Sequence, residues 1–469
     1  MKVALFILCL LTGFSASAQS MYEAFDKKWS TYIGLTSFRT NFKVYNNWII
    51  IGSNGDHLND PFYMDENAGV KVLDFTTGEL IATLEEGEFW DTDVNGVEVI
   101  GNRLYFGNDN EEFFCYDLKS LKEVWRIRTS GDVECAPALN DINKDGKLEL
   151  IIVTEAGEMS AVDPEDGSYL WTYRTPSFEG FASSTTPYVA FKLYTSFISA
   201  TNFYTTPELS DLNMDGVKDA LVSAGDGYTY AVNGATGELL WKAAAGEYTH
   251  SIIPHKNKFL VEFDGYGHFG ENESWEVEGA YDFVAVMSKS GDIEEKIKVP
   301  NYWAGGDFLA DGDKLILPIT DGIAQVDMNT KYTRIIYFPD VLEYAEFPDG
   351  SINKTMPLRY EPMPLVWKNP STSVKTIKTA WKQYDRPSTV VQFEIFDEWS
   401  GPEYAFIMSN ELIIVSHDFV NLRVMAIESE KKSQYYKTET PPFFFKRNQN
   451  TYCITNSNNG VITLFEVKK

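Results

Sequence analysis

The sequence predicts an all-β chain: four-stranded antiparallel units repeated radially as an eight-bladed β-propeller, with seven blades as the alternative. Three observations carry this. Residues 141–149 and 211–219 are near-copies, and each runs into an apolar strand, Leu150 to Val153 and Ala220 to Val222. Both copies then pass a glycine turn, a second strand, and a glycine four residues before a tryptophan: Gly167 and Trp171, Gly237 and Trp241. Apolar residues elsewhere alternate with period two between Gly, Asp and Asn punctuation, and no stretch sustains a helical period. One supersecondary unit used repeatedly signals a repeat architecture. Radial repetition of such units leaves no long exposed sheet edge.

From the N-terminus, Lys2 precedes an apolar run ending at Phe14, and Ala16 and Ala18 form a small-x-small cleavage site. This reads as a signal peptide over residues 1–18, with a single propeller domain over 19–469. Cys9 lies inside the run without the small residue before it that a lipid-anchored leader needs. No later segment reaches about 18 uninterrupted apolar residues, so no membrane insertion is expected. Lys28, Trp29 and Tyr32 lie in a segment suited to supply a strand that closes the ring.

Third-strand signatures then recur at 70–81, 114–125, 159–173, 229–243, 284–291, 323–329, 423–427 and 461–465. The last stops on its third strand, because the chain ends at Lys469. The N-terminal segment is therefore expected to complete that blade by exchange between the two termini.

The 141–149 and 211–219 loops have the logic of a hard-cation site. Asp141, Asn143 and Asp145, and Asp211, Asn213 and Asp215, stand at positions 1, 3 and 5. Gly146 and Gly216 allow the bend. The carbonyls of Lys147 and Val217 and the carboxylates of Glu149 and Asp219 complete an oxygen set suited to calcium. Two structural Ca2+ ions are expected. The competing reading is an Asx-rich turn that needs no metal.

The spacing of Ala161, Asp163, Gly167 and Trp171 resembles the tryptophan-docking motif of the quinoprotein (PQQ-type) propeller superfamily. Ala231, Asn233, Gly237 and Trp241 nearly repeat it, and Asp117 and Trp125 repeat it in part. The resemblance implies that the tryptophan packs between neighbouring blades and that the glycine makes the turn. Trp171 and Trp241 are accordingly expected to be buried. The two acidic loops look like those of FG-GAP and integrin-type repeats.

Enzymes of the superfamily carry adjacent cysteines. None stand here, and no Cys-x-x-Cys-His occurs, so PQQ is not expected. Cys115, Cys135 and Cys453 are read as buried thiols, with a Cys115–Cys135 disulfide as the alternative. The chain has five histidines but no Gly-x-Ser-x-Gly elbow and no His-Glu-x-x-His. A net charge of −28 argues against a nucleic-acid partner, which needs clustered Lys and Arg.

Eight blades of about 40–45 residues each leave a surplus. It falls at 53–67, 176–204, 264–281 and about 339–385. The first and third are read as turns between strands two and three, the others as blade-to-blade links. All four are expected at one end of the ring, opposite the acidic loops. Candidate ligand-facing residues there are His57, Asp60, Tyr63, Tyr266, His268, Trp275 and Trp381, with Trp303 at the entry to the sixth blade. Loops grouped on a rigid scaffold are where function concentrates.

The sequence thus reads as an exported, calcium-stabilised, monomeric scaffold that binds a protein or glycan. The alternatives are a polysaccharide lyase or hydrolase, and a quinone-dependent dehydrogenase.

Overall fold

The computed structural model describes residues 24–37, 39–56, 67–85, 92–175, 203, 205–224, 228–244, 248–264, 283–299, 307–319, 322–337, 388–395, 401–408, 410–420, 422–427, 440–457 and 459–468. These contain eight four-stranded antiparallel sheets, which are the eight blades of a propeller.

Blade one is Phe42–Tyr45, Trp48–Asn54, Ala68–Asp74 and Leu80–Leu84. Blade two is Val97–Ile100, Arg103–Asn108, Glu112–Asp117 and Lys122–Arg128. Blade three is Ala138–Asn140, Glu149–Val153, Glu158–Val162 and Tyr169–Arg174. Blade four is Glu208–Ser210, Asp219–Ser223, Tyr228–Val232 and Leu239–Ala244. Blade five is Tyr248–His255, Lys258–Asp264, Phe283–Met287 and Ile293–Lys298. Blade six is Leu309–Asp311, Lys314–Ile319, Gly322–Asp327 and Thr333–Tyr337. Blade seven is Val391–Phe393, Glu403–Met408, Glu411–Val415 and Leu422–Ala426.

Blade eight takes Phe443–Arg447, Asn450–Asn456 and Val461–Val467 from the C-terminus and Phe25–Tyr32 from the N-terminus. The N-terminal strand pairs from Phe25 opposite Val467 to Tyr32 opposite Val461. Lys28 reinforces it with an ion pair to Glu466, and Lys468 with one to Asp26 at 3.1 Å. The ring closes by strand exchange between the termini, as the truncated last repeat requires.

Burial explains why the strands read so differently. Second and third strands lie between two neighbouring strands and between two neighbouring blades. Glu149–Val153 and Glu158–Val162 are buried at every position. Fourth strands form the rim and alternate, as in Lys122–Arg128.

Blade seven corrects the sequence reading. Residues 423–427 were expected as its third strand, with 412–415 as its second. Glu411–Val415 is instead the third and Leu422–Ala426 the fourth. The second strand is Glu403–Met408, wholly buried and joined to Glu411 by a tight turn in which Asn410 adopts φ 61°. That short turn and the absence of a glycine at the following turn hide the true register.

The blades are joined through their rims. An ideal Cβ built on Gly237 would lie 2.8 Å from the Trp171 indole, and one on Gly78 would lie 2.5 Å from Trp29. Only glycine admits the ring at this distance, and both glycines also adopt φ 74°. Gly167 meets Trp125 and Gly291 meets Trp241 in the same way. Each indole N–H donates to a carbonyl in the same turn: Trp29 to Phe75 (2.9 Å), Trp125 to Pro164 (3.2 Å), Trp171 to Gly234 (2.9 Å) and Trp241 to Lys289 (3.0 Å). The glycine and tryptophan of one motif therefore serve different junctions. Each tryptophan docks on the glycine turn of the next blade.

Trp29 is 7% exposed. Trp125, Trp171 and Trp241 are only half-buried, a correction to the expected burial of Trp171 and Trp241. Part of each of these three indoles meets water while its N–H is satisfied inside.

Trp29→Ala should cost ~3–5 kcal/mol, since a fully enclosed aromatic is lost. Trp171→Ala should cost roughly 1.5–3 kcal/mol, because less area leaves water on docking. Urea unfolding of the two variants checks this; equal costs would mean that the closing junction is no tighter than the others.

Candidate functional site

A propeller has two ends, and the chain furnishes them differently. Turns between strands one and two, and three and four, share one end. Turns between strands two and three share the other end with the blade-to-blade links. The acidic loops join strands one and two of blades three and four, so they lie at the first end.

Each acidic loop folds around its own backbone. Asp141 accepts the amides of Asp145 and Gly146, both at 3.0 Å, and Asn143 also accepts that of Asp145 at 2.9 Å. Asp211 accepts Gly216 N–H at 3.1 Å, and Asn213 accepts Asp215 N–H at 2.9 Å. The position-9 carboxylates turn back onto the loop start. Glu149 accepts Ile142 N–H at 2.9 Å, and Asp219 accepts Leu212 N–H at 2.8 Å. Burial raises both carboxyls above their ordinary range.

The two loops are stapled to one another. Ile142 and Val217 pack with Ala161 in one apolar cluster, and Asn140 Nδ2 donates to Lys218 O at 2.7 Å. Lys144 Nζ reaches the Asp215 carbonyl, and Lys289 Nζ reaches that of Asp211 at 3.1 Å.

Both loops carry the oxygen chemistry of a hard-cation site, and in the second loop Asp211 Oδ1 is buried without a hydrogen-bond partner. Among the described residues, no group of three or more His, Cys, Asp or Glu is gathered as a metal set. A cation here would therefore also use the amides of Asn143 and Asn213 and the carbonyls of Lys147 and Val217.

The link-bearing end holds a different constellation. Ser37 and Arg39 lie in the link into blade one, Asn95 in the link into blade two, and Glu134 in the link into blade three. Ser37 Oγ donates to Asn95 Oδ1 at 2.5 Å, and Asn95 Nδ2 donates to Glu134 Oε2 at 2.6 Å. Arg39 pairs with the same oxygen at 2.6 Å. A side chain can bridge past an intervening blade only where blades converge, so this network stands at the mouth of the axis.

Glu155, in the turn between strands two and three of blade three, completes the network. Burial first, then the charge of Glu134 and a hydrogen bond to it, push the Glu155 carboxyl up to about 9; Arg39 opposes this and Asp132 adds to it. Glu155 thus keeps its proton at neutral pH and donates to Glu134. The network continues around the axis. Thr36 and Thr440 hydroxyls meet at 2.6 Å between blades one and eight, and Thr206 Oγ1 donates to Ala136 O at 2.8 Å.

Comparison with known proteins agrees with this architecture. Residues 66–199 match the family model described as outer membrane protein assembly factor BamB. No curated protein matches the chain. Among solved structures, BamB from Moraxella catarrhalis is 11% identical with TM-score 0.54, covering 94% of this chain and 99% of that one. Sqt1 of Saccharomyces cerevisiae is 9% identical with TM-score 0.56, covering 95% and 100%. The Dos1 propeller is 9% identical with TM-score 0.57, covering 95% and 96%.

This is an eight-bladed β-propeller, and its residues 66–199 are similar to repeats of the PQQ type.

Of the residues the sequence proposed for the link-bearing end, His57, Asp60, Tyr63, Tyr266, His268, Trp275, Trp303 and Trp381 lie outside the described residues. So do the central parts of the four insertions. At the rim of the first, Asp56 accepts from Tyr32 OH and Asn67 Nδ2. Cys115, Cys135 and Cys453 are free and buried, so no Cys115–Cys135 disulfide forms. Burial pushes the Cys115 thiol up to about 11 and that of Cys135 up to about 12.

The propeller's axial network was missed in the sequence. Its members come from three links and a turn, with no shared spacing. The one available signal was a glutamate, Glu134, between the apolar residues Val133 and Cys135.

Glu155 gives a pH dependence of defined sign. Its folded carboxyl holds a proton that the unfolded chain releases near the ordinary glutamate value of 4.5. Its contribution is therefore full below about pH 4.5 and falls as pH rises towards 9. Glu155→Gln keeps the neutral form. Its melting temperature should gain on the native protein steadily between pH 5 and 8.5. Parallel melting curves across that range would show that Glu155 ionises normally.

Proposed function

We propose that this chain is an exported binding scaffold that docks a protein partner on its link-bearing end. The observation that carries the reading is the network of Ser37, Arg39, Asn95, Glu134 and Glu155. It fixes three successive links at the mouth of a closed ring, a preformed platform at the end where the sequence places the four insertions. Pre-organisation lowers the ordering cost of association. The leader over residues 1–18 and the match of residues 66–199 to an outer membrane assembly factor support a periplasmic or surface setting.

The test is capture of envelope proteins by the immobilised mature chain. Truncating Tyr63, Tyr266, Trp275 and Trp381 to alanine should reduce capture at least tenfold. Met214→Ser at the opposite end should leave it unchanged. Undiminished capture by the folded quadruple variant would sink the assignment of the face.

The two acidic loops are proposed as calcium sites of structural role. A bound Ca2+ would neutralise the Asp141, Asp145 and Glu149 set and the Asp211, Asp215 and Asp219 set. It would thereby clamp the first two strands of blades three and four. Metal bound only by the native state stabilises by mass action. Excess EDTA should lower the melting temperature by several degrees, and calcium should restore it. An unchanged curve with no calcium in elemental analysis would assign the loops to metal-free Asx turns.

A further inference from the structure

The junctions between blades are not alike, and the one between blades five and six replaces indole docking with an ion pair. Four of them use an indole over a glycine turn: Trp29 on Gly78, Trp125 on Gly167, Trp171 on Gly237 and Trp241 on Gly291. At the junction of blades one and two the sizes are exchanged. Ala82 takes the tryptophan position and Leu121 the glycine position, at φ 53°, and both pack into the same apolar cluster. The junction remains apolar.

Between blades five and six the chemistry changes. Glu295, four residues after Gly291, takes the tryptophan position. Lys331 takes the glycine position, at φ 62°. Its turn keeps the shape of the glycine turns: Lys331 N–H donates to Asp327 O at 2.8 Å, as Gly237 N–H does to Asn233 O at 2.8 Å.

Lys331 Nζ forms an ion pair with Glu295 and also donates to Met328 O. Met328 lies three residues before Lys331. That is the place of the carbonyl that takes the indole N–H in blades one, three and four: Phe75, Pro164 and Gly234. The lysine thus fills the role of the missing indole as donor and ties the turn to the preceding rim through charge. The two side chains are 44% and 48% exposed. A second exposed pair, Lys256 with Asp313 at 2.5 Å, spans the same two blades at the end carrying the turns between strands one and two.

We propose that the blade five–six junction is an electrostatic latch, the seam at which the ring loosens first and at which ionic strength sets how far. The apolar core beneath it, from Leu260, Val284 and Ile297 to Leu315 and Ala324, continues across the two blades. The latch therefore governs the rim and leaves the ring connected. Exposed ion pairs weaken as added salt screens them, whereas indole docking does not depend on charge.

Hydrogen exchange, resolved by peptide, tests this on the full mature chain. Between 50 mM and 1 M NaCl, exchange in the rim strands 293–298 and 333–337 should rise at least threefold. The rims at 169–174 and 239–244 should change less than half as much. Lys331→Gln should show the high-salt pattern already at 50 mM. Glu295→Trp combined with Lys331→Gly rebuilds an indole–glycine junction and should abolish the salt response. Should that pair fail to fold, Lys331→Gln alone decides. Equal salt responses at all rims, or exchange in Lys331→Gln unchanged from the native protein at 50 mM, would overturn the proposal.

Discussion

The ring depends on how one blade grips the next. Each sheet is complete in its own hydrogen bonds, so nothing in the ladder itself joins neighbours. The join is made by side-chain packing between sheet faces and, at the rim, by an indole lying on a turn that lacks a Cβ. That contact is directional, because the indole N–H has one acceptor in the turn. Apolar packing alone would hold two twisted sheets together without fixing their angle. At four junctions the N–H to carbonyl bond adds that direction to the packing. Trp29 shows the reach of the rule: a strand from the far end of the chain brings its own tryptophan to dock on blade one.

A closed ring separates its two ends chemically. At one, short turns and the paired acidic loops pack against one another across blades three and four. At the other, links of unequal length enter the first strands, and their buried polar groups must find partners near the axis. Ser37, Asn95, Glu134 and Arg39 do so across three links. One more carboxyl than the arginine can neutralise is crowded into that network. Together with burial, which is the larger cause, this leaves a proton on Glu155. Buried polar networks of this kind specify geometry as much as they stabilise it.

Much was legible because the physics was local. Third strands read as apolar runs because neighbouring blades cover both faces, and turn glycines marked where they end. The truncated final repeat required a strand from elsewhere, and the residues around Trp29 supplied an alternating pattern to fill it. Blade seven was misread by one strand because Asn410 makes a tight turn without the usual glycine. The acidic loops were visible as motifs, yet their mutual stapling through Ile142 and Val217 was not.

What the sequence by itself determined is the repeat and the closure at the termini, with eight blades preferred over seven. These follow from periodicity and from which residues tolerate a left-handed turn, properties of short segments. What only the tertiary structure decided is which partners each motif meets. Gly167 and Trp171 sit four residues apart but serve different junctions, because a blade is wide and the next one begins where its rim ends. Arg39 and Glu134 are joined only because the links converge on the axis. Convergence is a property of the closed ring, and no local pattern encodes it.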